Sequence, residues 1–279
     1  MAEVQAKDFT FNNISLSDII PNADLVTFDT MPSDTDVDVF NGKVNKSDIH
    51  YNSPITNFYS LVPKNNLEFS IVISKNDGDY LTQDEISALV SWLTAPHEPV
   101  ECYFTPYDDN DYWNTHIVHS GVFYIGVFHS WGYSEMGQVG KMGIRFDFEN
   151  ISPYGFTEEV SVIIRSSGTD SQTIPFLNIG DAVGLKVLPK ITITPTATGT
   201  VTIANTVDSR EPLSINVTQG KAITIEDYNA FDNDDELYSI SKYFNNLNWV
   251  YLYDNNNMIS VTGSADVTIT ARFFKNVGV

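Results

Sequence analysis

One cysteine, Cys102, stands in 279 residues, so the chain can build no internal disulfide framework, and a single buried thiol in a strand is expected. No run approaches the roughly eighteen apolar residues that a membrane-spanning helix needs. The opening "MAEVQAKDFTFNN" lacks the apolar core of a secretory leader. These absences predict a soluble, unsecreted product with no membrane partner. Basic residues are also scarce, 15 Lys+Arg against 36 Asp+Glu, for a formal charge of −21. The deficit is uneven: residues 1–160 hold 24 acidic and 7 basic side chains (−17), and residues 161–279 hold 12 and 8 (−4). Such a surface repels nucleic-acid phosphates and anionic lipid, and it also keeps a protein in solution without any further role. Hydrophobic residues at 42% and aromatics at 13% exclude a disordered chain. The length allows one large or two ordinary domains.

Helical periodicity is nearly absent too. Only "LTQDEISALVSWLTAPHEPVE" at 81–101 carries it, and a helix is expected over 82–94. Thr82 and Glu85 form a capping box, and Asp84 and Glu85 place negative charge at the positive end of the dipole. Ile86, Leu89, Val90 and Leu93 fall on one face, and Pro96 stops the helix. Burying four such side chains contributes roughly 1.5–3 kcal/mol each before entropy is counted, enough to dock the helix on a sheet.

Elsewhere the sequence reads as strand and turn. "FTFNNISL", "LVTFDT", "VDVFNGKV", "LEFSIVIS", "VECYFTP", "NTHIVHSGVFYIGVFHSW" and "GKMGIRFDFENIS" precede an interruption at "ENISPYGFTEEV". Beyond it, "SVIIRSS", "ITITPTATGTVTIANT", "LSINVTQGKAITIED", "NWVYLYDNNNMISVTG" and "DVTITARFF" are rich in Val, Ile and Thr. The expected fold class is therefore mainly β. An α+β first domain, 1–160, carries the helix across an antiparallel sheet, and a β-sandwich follows at 161–279.

No catalytic, cofactor or metal residues are assigned. "GYSEMG" at 132–137 spaces its second Gly too far for a nucleophile elbow. "GQVGKMG" at 137–143 has Met142 where a P-loop needs Ser or Thr. Of the five histidines, His50, His97, His116, His119 and His129, the pair His116 and His119 would point to opposite faces of a strand. "DDNDYW" at 108–113 reads as an acidic turn. "FDNDDELYS" at 231–239 spaces Asp232, Asp234 and Glu236 like the opening of a calcium loop, but the Gly at the sixth place and the Glu at the twelfth are missing. No spacing among the 36 acids singles out a glycosidase pair. The better-defined constellation is "NWVYLYDNN", where Trp249, Tyr251 and Tyr253 share one strand face and Val250 and Leu252 the other. If the aliphatics face the core, the aromatics form a platform of the kind that stacks on sugar rings. The alternative, aromatics inside, is favoured by the usual burial of large rings.

The order "LTQDEISALVSWL", "ECYFTPYDDNDYWNTHIV", "GKMGIRFDFENISPYGF" resembles the siphophage distal tail protein family, the baseplate hub components that join tail tube to tail tip. "FLNIGDAVGLKVLPKITITPTATGTVTIANT" and "NNMISVTGSADVTITARFF" resemble the family's C-terminal galectin-like domain. The resemblance covers residues 66–279, and "FTFNNISL" looks like the family's opening strand. It implies a non-enzymatic protein of the virion tail tip, made in the bacterial host's cytoplasm. Its first domain would assemble with itself into a six-fold ring, with the helix outside the sheet and DNA passing through unbound. The implied partners are the tail tube protein and a tail-tip protein, with receptor-binding proteins or host glycan at the second domain.

Overall fold

In a computed structural model the strand runs become a mainly β protein. It describes residues 2–4, 6–25, 42–47, 57–63, 66–77, 79–105, 121–136, 141–232, 244–254 and 256–276. The chain divides into two units, one reaching to Phe156 and the other spanning Thr157–Lys275, so the division falls a few residues before 160.

The first unit contains β1 (Ala2–Val4), β2 (Asp8–Phe11), β3 (Ile14–Ser15), the short helix α1 (Leu16–Ile19), β4 (Ala23–Leu25), β5 (Gly42–Ser47), β6 (Asn57–Pro63), β7 (Glu68–Lys75), helix α2 (Gln83–Thr94), β8 (Val100–Thr105), β9 (Phe123–Met136), β10 (Lys141–Asn150) and β11 (Gly155–Phe156). One sheet runs β1-β7-β10-β9-β8-β2-β3, with β4 also on β7 and β11 on β9, while β5 and β6 pair separately. Its pairs are antiparallel apart from β1 on β7. Alternate residues send Phe9, Phe11, Phe69, Phe104, Phe128, Phe146 and Phe148 to one face, where all are buried. Phe69 on β7 meets Phe104 on β8 with centroids 5.4 Å apart. Two strands lie between them, so a flat sheet would separate them by about 14 Å; the sheet therefore curls around its phenylalanines.

Helix α2 lies over this core. The Thr82 hydroxyl accepts from the Glu85 backbone N–H, and the Glu85 carboxylate accepts from the Thr82 N–H at 2.7 Å. Glu85 also pairs with Lys75 of β7 at 2.8 Å, tying the first turn to the sheet. Leu89 and Leu93 are buried, and Ile86 and Val90 are half-buried against the same cluster. Trp92 belongs there as well: its ring stacks on Phe9 and its indole N–H donates to the Phe11 carbonyl at 3.2 Å. Cys102 is a free, fully buried thiol on β8, and burial pushes its pKa up.

The second unit contains β12 (Val160–Phe176), β13 (Lys186–Val187), β14 (Lys190–Pro195), β15 (Gly199–Asn205), β16 (Leu213–Val217), β17 (Ile223–Glu226), β18 (Asn229–Asp232), β19 (Leu252–Tyr253) and β20 (Asn257–Ala271). The long strands β12 and β20 pair from end to end, with a shift of register between Gly168 and Gln172. On its other edge β20 pairs with β15 through residues 259–262 and with β14 through 265–270. Because β14 and β15 follow each other along one edge, they act as a single strand broken where β20 bends. The bend sits at Gly263 (φ +110°), whose register partner is Gly168 (φ +148°). A Cβ on Gly263 would lie 2.5 Å from the Thr200 carbonyl oxygen, so the inside of the crease has room only for hydrogen. One half then carries β16 and the other β17–β18. Their inner faces, Val201, Ile203, Ile215 and Val261 against Ile191, Ile193, Ile225 and Val267, meet in one core. The sandwich expected from the sequence is thus one bent antiparallel sheet folded on itself.

Candidate functional site

Between Asn246 and Tyr253 the chain crosses the second unit mostly outside regular strands, so side-chain amides satisfy its backbone. Asn205 donates to the Tyr251 carbonyl at 2.9 Å and to the Asn257 amide oxygen at 2.7 Å, and that oxygen also accepts from the Tyr253 N–H at 2.8 Å. Asn178 donates to the Tyr253 carbonyl at 2.8 Å. Asn205 and Asn257 are buried, which makes this a rigid support. Val250 and Leu252 are buried in the core, Trp249 is half-buried and packs against that same core, and Tyr251 and Tyr253 are half-buried. The aliphatics thus take the fully buried positions, and the three rings lie between the two expectations, half-buried and neither inside the core nor free of it.

What gathers around those rings is only partly a platform. Lys186 and Arg210 each place a cation over the Tyr251 ring, at 4.0 and 4.6 Å from its centroid. Its π-face is thereby already engaged. The Tyr253 hydroxyl donates to Asp208 at 2.7 Å, and Arg210 holds the same carboxylate through Nε at 2.8 Å and through Nη2. These bonds, with Arg210 the largest contributor, hold the Asp208 carboxyl well below the usual carboxylate range against its desolvation. Burial and the bond to Asp208 raise the Tyr253 hydroxyl.

Tyr228 joins the cluster from the β17–β18 hairpin. Asp227 and Tyr228 form its two-residue turn, both at positive φ (47° and 63°). Tyrosine is an uncommon choice where glycine or asparagine is usual. The ring lies edge-on to Trp249 at 5.7 Å and the hydroxyl lies 3.2 Å from that of Tyr251, yet the residue stays 51% exposed. Asp227 suits the first position of that turn, but nothing in "EDYN" marks tyrosine for the second, so the sequence concealed Tyr228. Lys186 and Arg210 were likewise illegible, since both reach Tyr251 from distant segments.

The first unit carries two uncharged surfaces. At His129, β9 has one residue more than β10, so the register shifts between Asp147↔Ser130 and Phe148↔Phe128. The bulge brings Trp131 and Tyr133 onto the same face as their partners Phe146 and Ile144. They lie beyond the covered core, 44% and 56% exposed and edge-to-face at 6.0 Å. The second surface is an open groove of about 450 Å³ between α1 and α2, lined by Ile14, Ile19, Ala88, Trp92, Ala95 and Pro96, with Asn12 and Ser91.

On the sheet face opposite the core, Asp147 accepts from Ser70 at 2.7 Å, Ser130 at 2.5 Å and Arg145 at 2.9 Å. Desolvation would raise this carboxyl, but the three donors outweigh it and lower its pKa. His97 and His129 are exposed. His50, His116, His119, residues 108–113, Asp234 and Glu236 lie outside the described residues. Among the described residues no three His, Cys, Asp or Glu side chains gather to hold a metal, and no helix is long and apolar enough to cross a membrane.

Residues 4–130 match the family described as "Phage tail protein N-terminal domain", and residues 154–271 match "Phage tail C-terminal domain". No curated protein matches the chain. Among solved structures, the SPP1 Dit (gp 19.1) protein, described as a paradigm of the hub adsorption apparatus in phages infecting Gram-positive bacteria, aligns over 95% of this chain and 98% of its own. The identity is 12% and the TM-score 0.60. The phage P2 baseplate in its activated conformation with Ca aligns over 98% and 99% at 7% identity, with a TM-score of 0.46. Matched in both halves and in order, the chain belongs to a family of phage tail proteins, and its fold is that of a Dit hub protein.

Proposed function

We propose that this tail protein is a ring-forming adaptor between tail tube and tail tip, that it performs no catalysis, and that DNA leaves through the ring without being bound. The observation that carries the reading is the extent of the fold likeness to a hub protein: 95% of the chain, spanning both units and not one portable domain. The reading assigns the ring to the first unit, with neighbouring copies in contact, and six as the number of subunits. It also gives the −17 of residues 1–160 a use, since an acidic wall repels DNA phosphates where a basic one would release counterions and bind. Gold-labelled antibody against the chain should mark the junction between tube and tip on intact virions. Label confined to the capsid, or to fibres remote from that junction, would contradict the proposal.

A second reading concerns the aromatic rings of the other unit. Trp249 and Tyr228 offer aromatic surface to a neutral sugar, whereas Tyr251 is committed to Lys186 and Arg210. On this reading a glycan array shows binding that Trp249→Ala and Tyr228→Gly remove and Tyr251→Phe retains. An array without signal, or equal loss at all three positions, dismisses it and leaves the ring untouched.

A further inference from the structure

A closed ring of identical subunits needs a heterologous contact, in which one surface of a copy meets a different surface of the next. The first unit presents such a pair. The ridge is Trp131 and Tyr133, two large aromatic side chains that the β9 bulge turns onto the face of Phe146 and Ile144 and that remain exposed there. The receptor is the α1–α2 groove, whose exposed positions, Ala88 and Ser91 on α2 and Ala95 at its C-cap, recur at three- and four-residue steps and leave small side chains there. Ile14, at 38% exposed, forms part of its rim on β3, at the end of the sheet order.

We infer that Trp131 and Tyr133 of one copy seat in the α1–α2 groove of its neighbour, an inference that rests on the ring proposed above. Charge selects the pairing. Each copy carries −21, most of it on this part of the chain, so two copies approach at a cost wherever carboxylates face one another. Neither Trp131 and Tyr133 nor any residue lining the groove is charged, so the contact itself buries no carboxylate. Chemistry agrees: aromatic anchors seated in apolar pockets dominate the energetics of protein interfaces, and 450 Å³ leaves room for both rings. Because ridge and groove lie on different elements, each copy can give one and receive the other, so the contact repeats from copy to copy, as the ring proposed above requires.

The test uses the full chain and two variants, Trp131→Ala/Tyr133→Ala on the ridge and Ala88→Glu in the groove, each checked for an unchanged melting transition. The inference expects each variant alone to be monomeric by light scattering. Mixed in equal amounts they should give a heterodimer and nothing larger, because the intact ridge of one fits the intact groove of the other and the remaining surfaces are spoiled. Should the ridge variant fail to fold, Ala88→Glu with Ser91→Glu on exposed helix positions still reports on the groove, and retained assembly would overturn the inference. Rings that persist in both variants mean that another segment or another tail protein fills the groove; that result overturns this contact and leaves the ring standing. A wild-type chain that never assembles overturns both.

Discussion

Gly263 and Gly168 face each other across the same pair of strands, both outside the backbone region open to other residues, but only one is crowded. An alanine Cβ at 263 would meet the Thr200 carbonyl at 2.5 Å, while at 168 it would meet nothing within 4 Å. Gly168→Ala should cost about 1 kcal/mol of backbone strain, and Gly263→Ala roughly twice that or more, since the crease itself must open. Urea melts of the two variants decide it, and equal losses would mean that the bend does not depend on close approach. Asp208 gives a pH signature. Its folded-state pKa is depressed by Arg210 and Tyr253, so its stabilisation is complete above the unfolded value of about 3.9 and disappears as pH falls through the folded one. The wild-type melting temperature should fall more steeply below about pH 4 than that of Asp208→Asn. Parallel profiles would show that the Arg210–Asp208–Tyr253 network contributes nothing.

Elements differ in how openly the sequence declares them. Helix α2 was legible at both ends and along its face because its capping box, periodicity and Pro96 act within a dozen residues. Its fifth core-facing residue was not: Trp92 is held by Phe9 and by the Phe11 carbonyl, more than eighty positions away. The second unit's strands are visible as Val-, Ile- and Thr-rich runs, and by residue type alone these are separate short elements. Their joining into strands as long as Val160–Phe176 depends on a glycine pair ninety-five residues apart. Helix α1, four residues long, leaves no periodicity to find. Burial on α2 makes a testable contrast: Leu89→Ala or Leu93→Ala should cost about 2–5 kcal/mol, and Ser87→Ala on the exposed side well under 1. Similar small losses at all three positions in denaturant melts would show that the helix is not seated on the phenylalanine core.

At the scale of the whole molecule, charge and assembly pull against each other. Copies carrying −21 repel, and uncharged contact surfaces have to overcome that repulsion. Salt screens the repulsion and leaves apolar contacts intact, so raising ionic strength from about 0.05 to 0.5 M should increase the assembled fraction. Assembly that weakens with salt would show that ion pairs hold the copies together instead. The most direct measurement of the central claim is native mass spectrometry of the full-length chain at rising concentration. A ring-forming tail hub predicts one closed species at a fixed multiple of the 31.2 kDa chain, six copies or a whole number of such rings, with no ladder of intermediates at saturation. A strict monomer at the highest concentration, or an open-ended series of masses, would contradict it.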